Sequence, residues 1–172
     1  MNQQVLWGDA PLCWQDVVRV ARGEAQLALS AGAWERIAQG RAIVQHIIDA
    51  GQIAYGINTG LGALCNITLP EEQLSQLSRN TLLSHACGVG PLLDDAQTRA
   101  IMCAAVANYS HGKSGISCAI VQQLLAFLNQ QITPQVPSQG SVGYLTLTGN
   151  SSITAPLAGA FAPDGSYFFV ST

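Results

Sequence analysis

Charged residues are scarce in this sequence. Asp, Glu, Lys and Arg make up 10% of its 172 residues, whereas about 25% is usual for a soluble globular domain. The segment from Ser114 to Pro163 contains no charged residue. We therefore expect other protein to cover part of the surface, either in a homo- or hetero-oligomer or because the chain corresponds to part of a larger protein.

Clusters of basic residues are also missing. The net charge is −3 and no run of Lys or Arg occurs, which excludes the basic footprint of a nucleic-acid-binding protein. Residues 1–4 lack the basic segment that precedes the apolar core of a signal peptide. Gln and Asn interrupt the apolar helices, so no membrane span is predicted. These features favour a cytoplasmic protein.

Paired cysteines are the third absence. The five cysteines are an odd number, are widely spaced and include no Cys-x-x-Cys pair. This pattern is typical of reduced thiols and does not predict a disulfide framework or a zinc site.

Apolar periodicity predicts a mainly helical fold. Residues that recur at intervals of three and four, together with capping residues and glycine stops, indicate helices. The predicted helices are 14–28 with an interruption at Gly23, a segment capped by Ser30 and ended by Gly51, a segment that opens with a capping box at Thr68 and leads to Ser84, 94–111, and 116–130. Residues 147–172 combine Ser, Thr, Gly and Pro with scattered apolar residues, and we expect a poorly ordered tail there.

The stretch AYGINTGLG, residues 54–62, places one Tyr and an Asn-Thr pair among three glycines. Glycine permits positive φ and close backbone approach, and Asn-Thr-Gly favours a turn. The stretch can be a simple connection between two elements. Alternatively, it can bring the Tyr55 hydroxyl, the Asn58 amide and the backbone N–H groups near Gly60 around a polar small molecule.

Two further motifs favour the second interpretation. They are NTLLSHACGVG at residues 80–90 and VPSQGSVG at residues 136–143. In this order and spacing, the three stretches resemble the histidine and aromatic amino-acid ammonia-lyase family, whose pattern reads Y-G-x-N-T-G-x-G, S-H-A-x-G-x-G and V-P-x-x-G-S-V-G. The resemblance implies the helical N-terminal portion of an ammonia-lyase fold, of the fumarase/aspartase-like kind, with glycine-rich active-site loops.

The resemblance also implies roles for individual residues. Enzymes of this family eliminate ammonia from histidine, phenylalanine or tyrosine, and Tyr55 corresponds to the base that removes the β-proton. His85 corresponds to a histidine beside the bound substrate. Asn58, Thr59 and Gly60 are the candidates for holding the amino acid or stabilising the Tyr55 phenolate. The family's enzymes are tetramers whose sites combine residues from several subunits.

The chain departs from the family pattern after Gly143. The family's electrophile, a methylidene-imidazolone group, forms by cyclisation of Ala-Ser-Gly, but this chain has Tyr144, Leu145 and Thr146 there. No cofactor is therefore recognisable. A shifted alignment would place 147–150, LTGN, against the Ala-Ser-Gly-Asp of the family, but it replaces the essential Ser. We divide the chain into an ammonia-lyase-like portion, 1–146, and an unmatched tail, 147–172, which a truncation or a frameshift would explain.

Two hypotheses follow for the function. The chain can be part of a lyase that deaminates histidine or an aromatic amino acid only together with chains that supply the electrophile. Alternatively, it can be a catalytically silent binding or regulatory subunit, or a remnant of such a lyase.

Overall fold

The computed structural model describes most of the chain up to Gln139. The described residues are 3–10, 13–55, 57–60, 67, 70, 73, 76, 77, 79, 80, 83 and 88–139, together with the backbone of 146–148 and 154–155. Cys65 and Cys87 lie outside these residues, and the other three cysteines are free thiols.

Helices account for most of the regular structure, as the sequence predicts. Their bounds are Trp14–Ala21 (α1), Ala31–Asp49 (α2), Asp95–Tyr109 (α3) and Cys118–Asn129 (α4). The predicted cap of α2 is confirmed, because the Ser30 hydroxyl accepts a hydrogen bond from the backbone N–H of Ala33 at 3.1 Å. Asp94 begins α3 in a capping box with Gln97, which satisfies backbone donors that a helix start leaves unpaired.

The predicted continuation of the first helix beyond Gly23 is wrong. α1 ends at Ala21, Gly23 adopts a φ of +75°, and Ala25–Leu29 forms a strand, β2. Along β2, buried Ala25, Leu27 and Leu29 alternate with less buried neighbours, which is the period of a strand and not of a helix. Local sequence did not reveal this because the partner of β2 lies elsewhere in the chain.

That partner is a strand near the start of the chain. Gln3–Trp7 (β1) pairs with β2 in parallel, with Val5 opposite Leu27. Parallel neighbours need a crossover connection, and α1 provides it. The result is a small β-α-β unit within a mainly helical protein.

Residues 73, 76, 77, 79, 80 and 83 are also helical. Five short strands are described besides β1 and β2. They are Val89–Leu92 (β3), Pro134–Gln135 (β4), Pro137–Gln139 (β5), Thr146–Thr148 (β6) and Thr154–Ala155 (β7). β3 pairs antiparallel with β5, and β6 lies between β4 and β7. None of the helices in the described ranges combines the length and apolar character that a bilayer crossing requires.

One apolar core joins the β-α-β unit to α3, α4 and the first half of α2. Its side chains come from every one of these elements: Val5, Trp7, Val20, Leu27, Leu29, Ile37, Met102, Val106, Val121, Leu125 and Leu128. One buried polar side chain of α3 also binds across it. Arg99 of α3 donates to the carbonyls of Val20 and Ala21 at 2.8 Å, which satisfies carbonyls at the end of α1.

The second half of α2 extends beyond this core. Ala33 and Ile37 are its buried residues, and no residue of α2 after Ile37 is buried. Ile43 is 64% exposed. The part of the helix that leads to the Tyr55 loop therefore carries apolar side chains that the described residues do not cover.

Candidate active site

The Tyr55 loop is attached directly to the end of α2. Gly51 has a φ of +63°, and its N–H donates to Ile48 while the N–H of Gln52 donates to Ile47 at 3.0 Å. This is the hydrogen-bond pattern with which a left-handed residue ends a helix. The predicted end of this helix at Gly51 is confirmed, and the chain turns there into residues 52–60.

A tight turn connects Ala54 to Ile57 and Asn58. The N–H groups of Ile57 and Asn58 both donate to the carbonyl of Ala54, at 3.1 and 3.3 Å. Tyr55 lies within this turn and is 65% exposed. A backbone turn of this kind presents the Tyr55 side chain outward from a short, hydrogen-bonded support.

Asn58 lies behind the turn and is buried, with 8% exposure. Its Oδ1 accepts from the N–H of Ala54 at 2.9 Å, and its Nδ2 donates to the carbonyl of Gln52 at 2.7 Å. The amide therefore binds the backbone on the N-terminal side of Tyr55. The sequence marks Asn58 as polar and close to a turn but does not tell which groups it binds.

Thr59 and Gly60 continue inward from Asn58. Thr59 is 1% exposed, and its hydroxyl donates to the carbonyl of Gly60 at 3.0 Å. The N–H of Gly60 donates to the carbonyl of Ile67 at 3.2 Å. Both residues are buried, so their role in holding a substrate stays a prediction.

The second and third motifs meet in a strand pair. In β3 and β5, Val89 is opposite Gln139 and Leu92 is opposite Pro137. Gly90 has a φ of +89°, and a Cβ there would lie 3.0 Å from the Ser138 hydroxyl. The glycines of the second motif thus permit the close approach of the third. His85 lies outside the described residues, and its position beside the bound substrate stays a prediction.

The position of the family's electrophile is described only in part. Tyr144 and Leu145 lie outside the described residues, whereas the backbone of Thr146 pairs with Gln135 in the β4–β6 ladder. The side-chain chemistry decides the question of fit. A Tyr-Leu-Thr sequence lacks both the serine that loses water and the glycine nitrogen that closes the ring, so these residues do not fit the group.

Among the described residues, no cluster of His, Cys, Asp and Glu could hold a metal ion. The titratable groups with shifted pKa values belong to the core. Burial raises the pKa of the Cys103 thiol to about 11, and burial also raises the pKa of Tyr109. These shifts concern stability and are not part of the Tyr55 turn.

Comparison with known proteins places this arrangement in a family. The family model for aromatic amino acid lyases matches residues 12–165. The chain belongs to the aromatic amino acid lyase family. The match extends past Gly143, where the motif resemblance ends, and the division at residue 146 stays a prediction.

A curated relative is the histidine ammonia-lyase of Treponema denticola. It is 41% identical over 129 residues, which cover 75% of this chain but 25% of the relative. The chain thus spans about a quarter of the length of this lyase family member. The prediction that it corresponds to part of an ammonia-lyase-like protein is confirmed.

Solved structures of the family agree with the fold. The ergothionase of Treponema denticola, an ergothioneine-degrading enzyme, matches with a TM-score of 0.77 and 31% identity, covering 81% of this chain and 28% of that one. A tyrosine aminomutase mutant matches with a TM-score of 0.77 and 25% identity, covering 90% and 32%. The predicted mainly helical lyase fold is therefore confirmed.

Proposed function

We propose that this chain supplies the Tyr55 turn to an active site that eliminates ammonia from histidine or a related amino acid. The observation that supports this most directly is the outward presentation of Tyr55, 65% exposed, on a turn that corresponds to the family's first motif. Among the candidate substrates we favour histidine, because a 41% identical relative is a histidine ammonia-lyase.

Tyr55 would act as the base in this reaction. Removal of a weakly acidic β-proton requires a phenolate, and an unperturbed Tyr has a pKa of about 10. Hydrogen-bond donors or positive charge must therefore surround the hydroxyl in the assembled site. His85 is the candidate of this chain for contact with the substrate.

Other polypeptide would complete the site. Exposed apolar side chains on α2 and in the segment that follows it, which include Ile43 at 64% and Ile53 at 67%, favour contact with another protein surface. The sequence Tyr144-Leu145-Thr146 supports the view that the electrophile comes from a different chain. We infer an oligomer with a chain of the same family, in which the partner carries the Ala-Ser-Gly sequence.

The same sequence favours a second candidate function. A chain without its own electrophile can serve as a silent subunit that binds an amino acid or regulates a lyase oligomer. This alternative needs the Tyr55 turn for binding or assembly but not for proton transfer.

Co-expression separates the two functions. This chain would be produced with the part of the Treponema denticola histidine ammonia-lyase that begins at the position corresponding to Val136. Absorbance of the conjugated acrylate product would be followed with L-histidine, L-phenylalanine and L-tyrosine. Product that disappears with Tyr55→Phe supports the catalytic proposal. A stable complex that forms no product contradicts the catalytic proposal and favours the silent subunit. This chain expressed alone is the control for background absorbance.

A further inference from the structure

The amide of Asn58 joins two points of the chain that lie before Tyr55. Through Oδ1 it binds the N–H of Ala54 at 2.9 Å, and through Nδ2 it binds the carbonyl of Gln52 at 2.7 Å. An Asn side chain has one carbonyl acceptor and two N–H donors. Both kinds of group on Asn58 are therefore engaged with backbone that flanks the turn.

Gln52 also belongs to the end of α2. Its N–H donates to the carbonyl of Ile47 at 3.0 Å, and its own carbonyl receives the Asn58 amide. A continuous set of hydrogen bonds thus leads from the last turn of α2 through Gln52 and Asn58 to Ala54, the residue before Tyr55. The helix end and the turn are held in one geometry.

We propose that Asn58 is a positioning residue that fixes the Tyr55 turn against the end of α2, and that it does not bind the substrate. Its effect on the reaction rests on the proposed function, but its effect on the turn does not. In the turn, the Asn58 side chain replaces hydrogen bonds that a further helical turn would have given to Gln52 and Ala54.

The difference in burial between Asn58 and Tyr55 supports a positioning role for Asn58. Asn58 is 8% exposed and Tyr55 is 65% exposed, although they are three residues apart. A substrate can reach the Tyr55 side chain from solvent, whereas the Asn58 amide is buried. Precise placement of a base matters because small displacements of a reacting group can lower rates by about 10²-fold.

Amide hydrogen exchange, measured by NMR on the ¹⁵N-labelled chain, tests whether Asn58 fixes the Tyr55 turn and does not require catalysis. Asn58→Ala should raise the exchange rate of the Ala54 N–H at least tenfold and leave the core amide of Val106 unchanged. Asn108→Ala, an exposed change on α3, is the matched control and should leave Ala54 unchanged. An Ala54 exchange rate in Asn58→Ala within twofold of the unchanged chain would overturn the proposal.

Asn58→Asp provides a second test if Asn58→Ala does not fold. The carboxylate keeps an acceptor for the Ala54 N–H but loses the donor to the Gln52 carbonyl. The Ala54 exchange rate should then stay within threefold of the unchanged chain. Exchange of Ala54 as fast as in an unfolded peptide would show that Oδ1 does not protect it, and the proposal would fail.

The co-expressed assembly gives the catalytic readout. A positioning role predicts that Asn58→Ala lowers kcat at least tenfold while KM stays within twofold, because the base is misplaced but substrate contacts remain. A raised KM with unchanged kcat would instead identify Asn58 as a substrate contact and overturn the proposal. If the unchanged assembly forms no product, the proposed function fails, and the exchange experiment still decides the role of Asn58.

Discussion

Asn129 provides a sharp test of how the β-α-β unit is attached to the helices. From the last turn of α4, its Oδ1 accepts from the N–H of Leu27 at 2.8 Å and its Nδ2 donates to the carbonyl of Leu27 at 2.9 Å. Leu27 is 1% exposed. Both backbone groups of this β2 residue therefore depend on one side chain, which acts as a short substitute for a neighbouring strand.

Asn129→Leu should destabilise the protein by about 2–6 kcal/mol. Leu has the same branching and the same number of side-chain heavy atoms as Asn, but it leaves a buried N–H and a buried C=O unpaired, and each such group costs about 1–3 kcal/mol. Asn129→Ala should cost less, because the space vacated by the amide can admit water to both groups. Asn129→Leu is therefore expected to be less stable than Asn129→Ala, although it buries more apolar surface.

Urea unfolding followed by circular dichroism at 222 nm measures these differences. Gln122→Leu is the matched control, since it makes the same kind of change on the exposed side of α4 and should stay within about 0.5 kcal/mol of the unchanged chain. An Asn129→Leu variant equally close to the unchanged chain would refute the hydrogen-bond argument. So would an Asn129→Ala variant that is less stable than Asn129→Leu.

Three further predictions concern the core and the turns. Burial raises the pKa of Cys103 to about 11 from 9.0, so between these pH values the native state keeps a thiol proton that the unfolded state loses. The contribution of Cys103 to the free energy of unfolding is therefore complete below pH 9 and falls by about 1.4 kcal/mol per pH unit between about pH 9 and 11. Cys103→Ala should therefore unfold with a shallower pH dependence in urea titrations over this range, and equal slopes would contradict the assignment. Gln131 has a φ of 58°; Gln131→Gly should raise the Tm by a few degrees, because relief of about 1–2 kcal/mol of left-handed strain exceeds the entropy cost of glycine, and an unchanged or lower Tm would argue against it. A Cβ at Gly40 would overlap the carbonyl oxygen of Gly112, so Gly40→Ala should lower the stability by about 1–3 kcal/mol despite its better helix propensity; a gain in Tm would show that the two segments separate easily.

The sequence was sufficient where structure depends on near neighbours. Ser30 and Asp94 were recognisable helix starts because each cap binds a backbone N–H three residues later. The segment Ala25–Leu29 was not recognisable as a strand, because its apolar residues also suit a helix and its partners, β1 and Asn129, are distant in sequence. Non-local pairing decides such segments over intrinsic propensity.

In the candidate site, too, local features were predictable from the sequence and the partners of individual side chains were not. The glycine-rich motif identified the turn around Tyr55 and the family to which the chain belongs. Local sequence did not indicate that the Asn58 amide faces backward to Gln52 and Ala54, since an Asn in a turn can bind either a ligand or its own backbone. The roles of Tyr55, His85, Thr59 and Gly60 remain predictions, of which the Tyr55→Phe variant tests the first.

The bond between Asn129 and Leu27 also has a consequence for synthesis on the ribosome. The two residues are 102 positions apart, so at about 5–20 residues per second the partner of Leu27 is made roughly 5–20 s after β2. During that interval the nascent β2 presents an unpaired N–H and C=O at its open edge, the kind of edge that recruits strands from other chains. A chaperone that shields β1 and β2 on the nascent chain would therefore be most useful before α4 leaves the ribosomal tunnel.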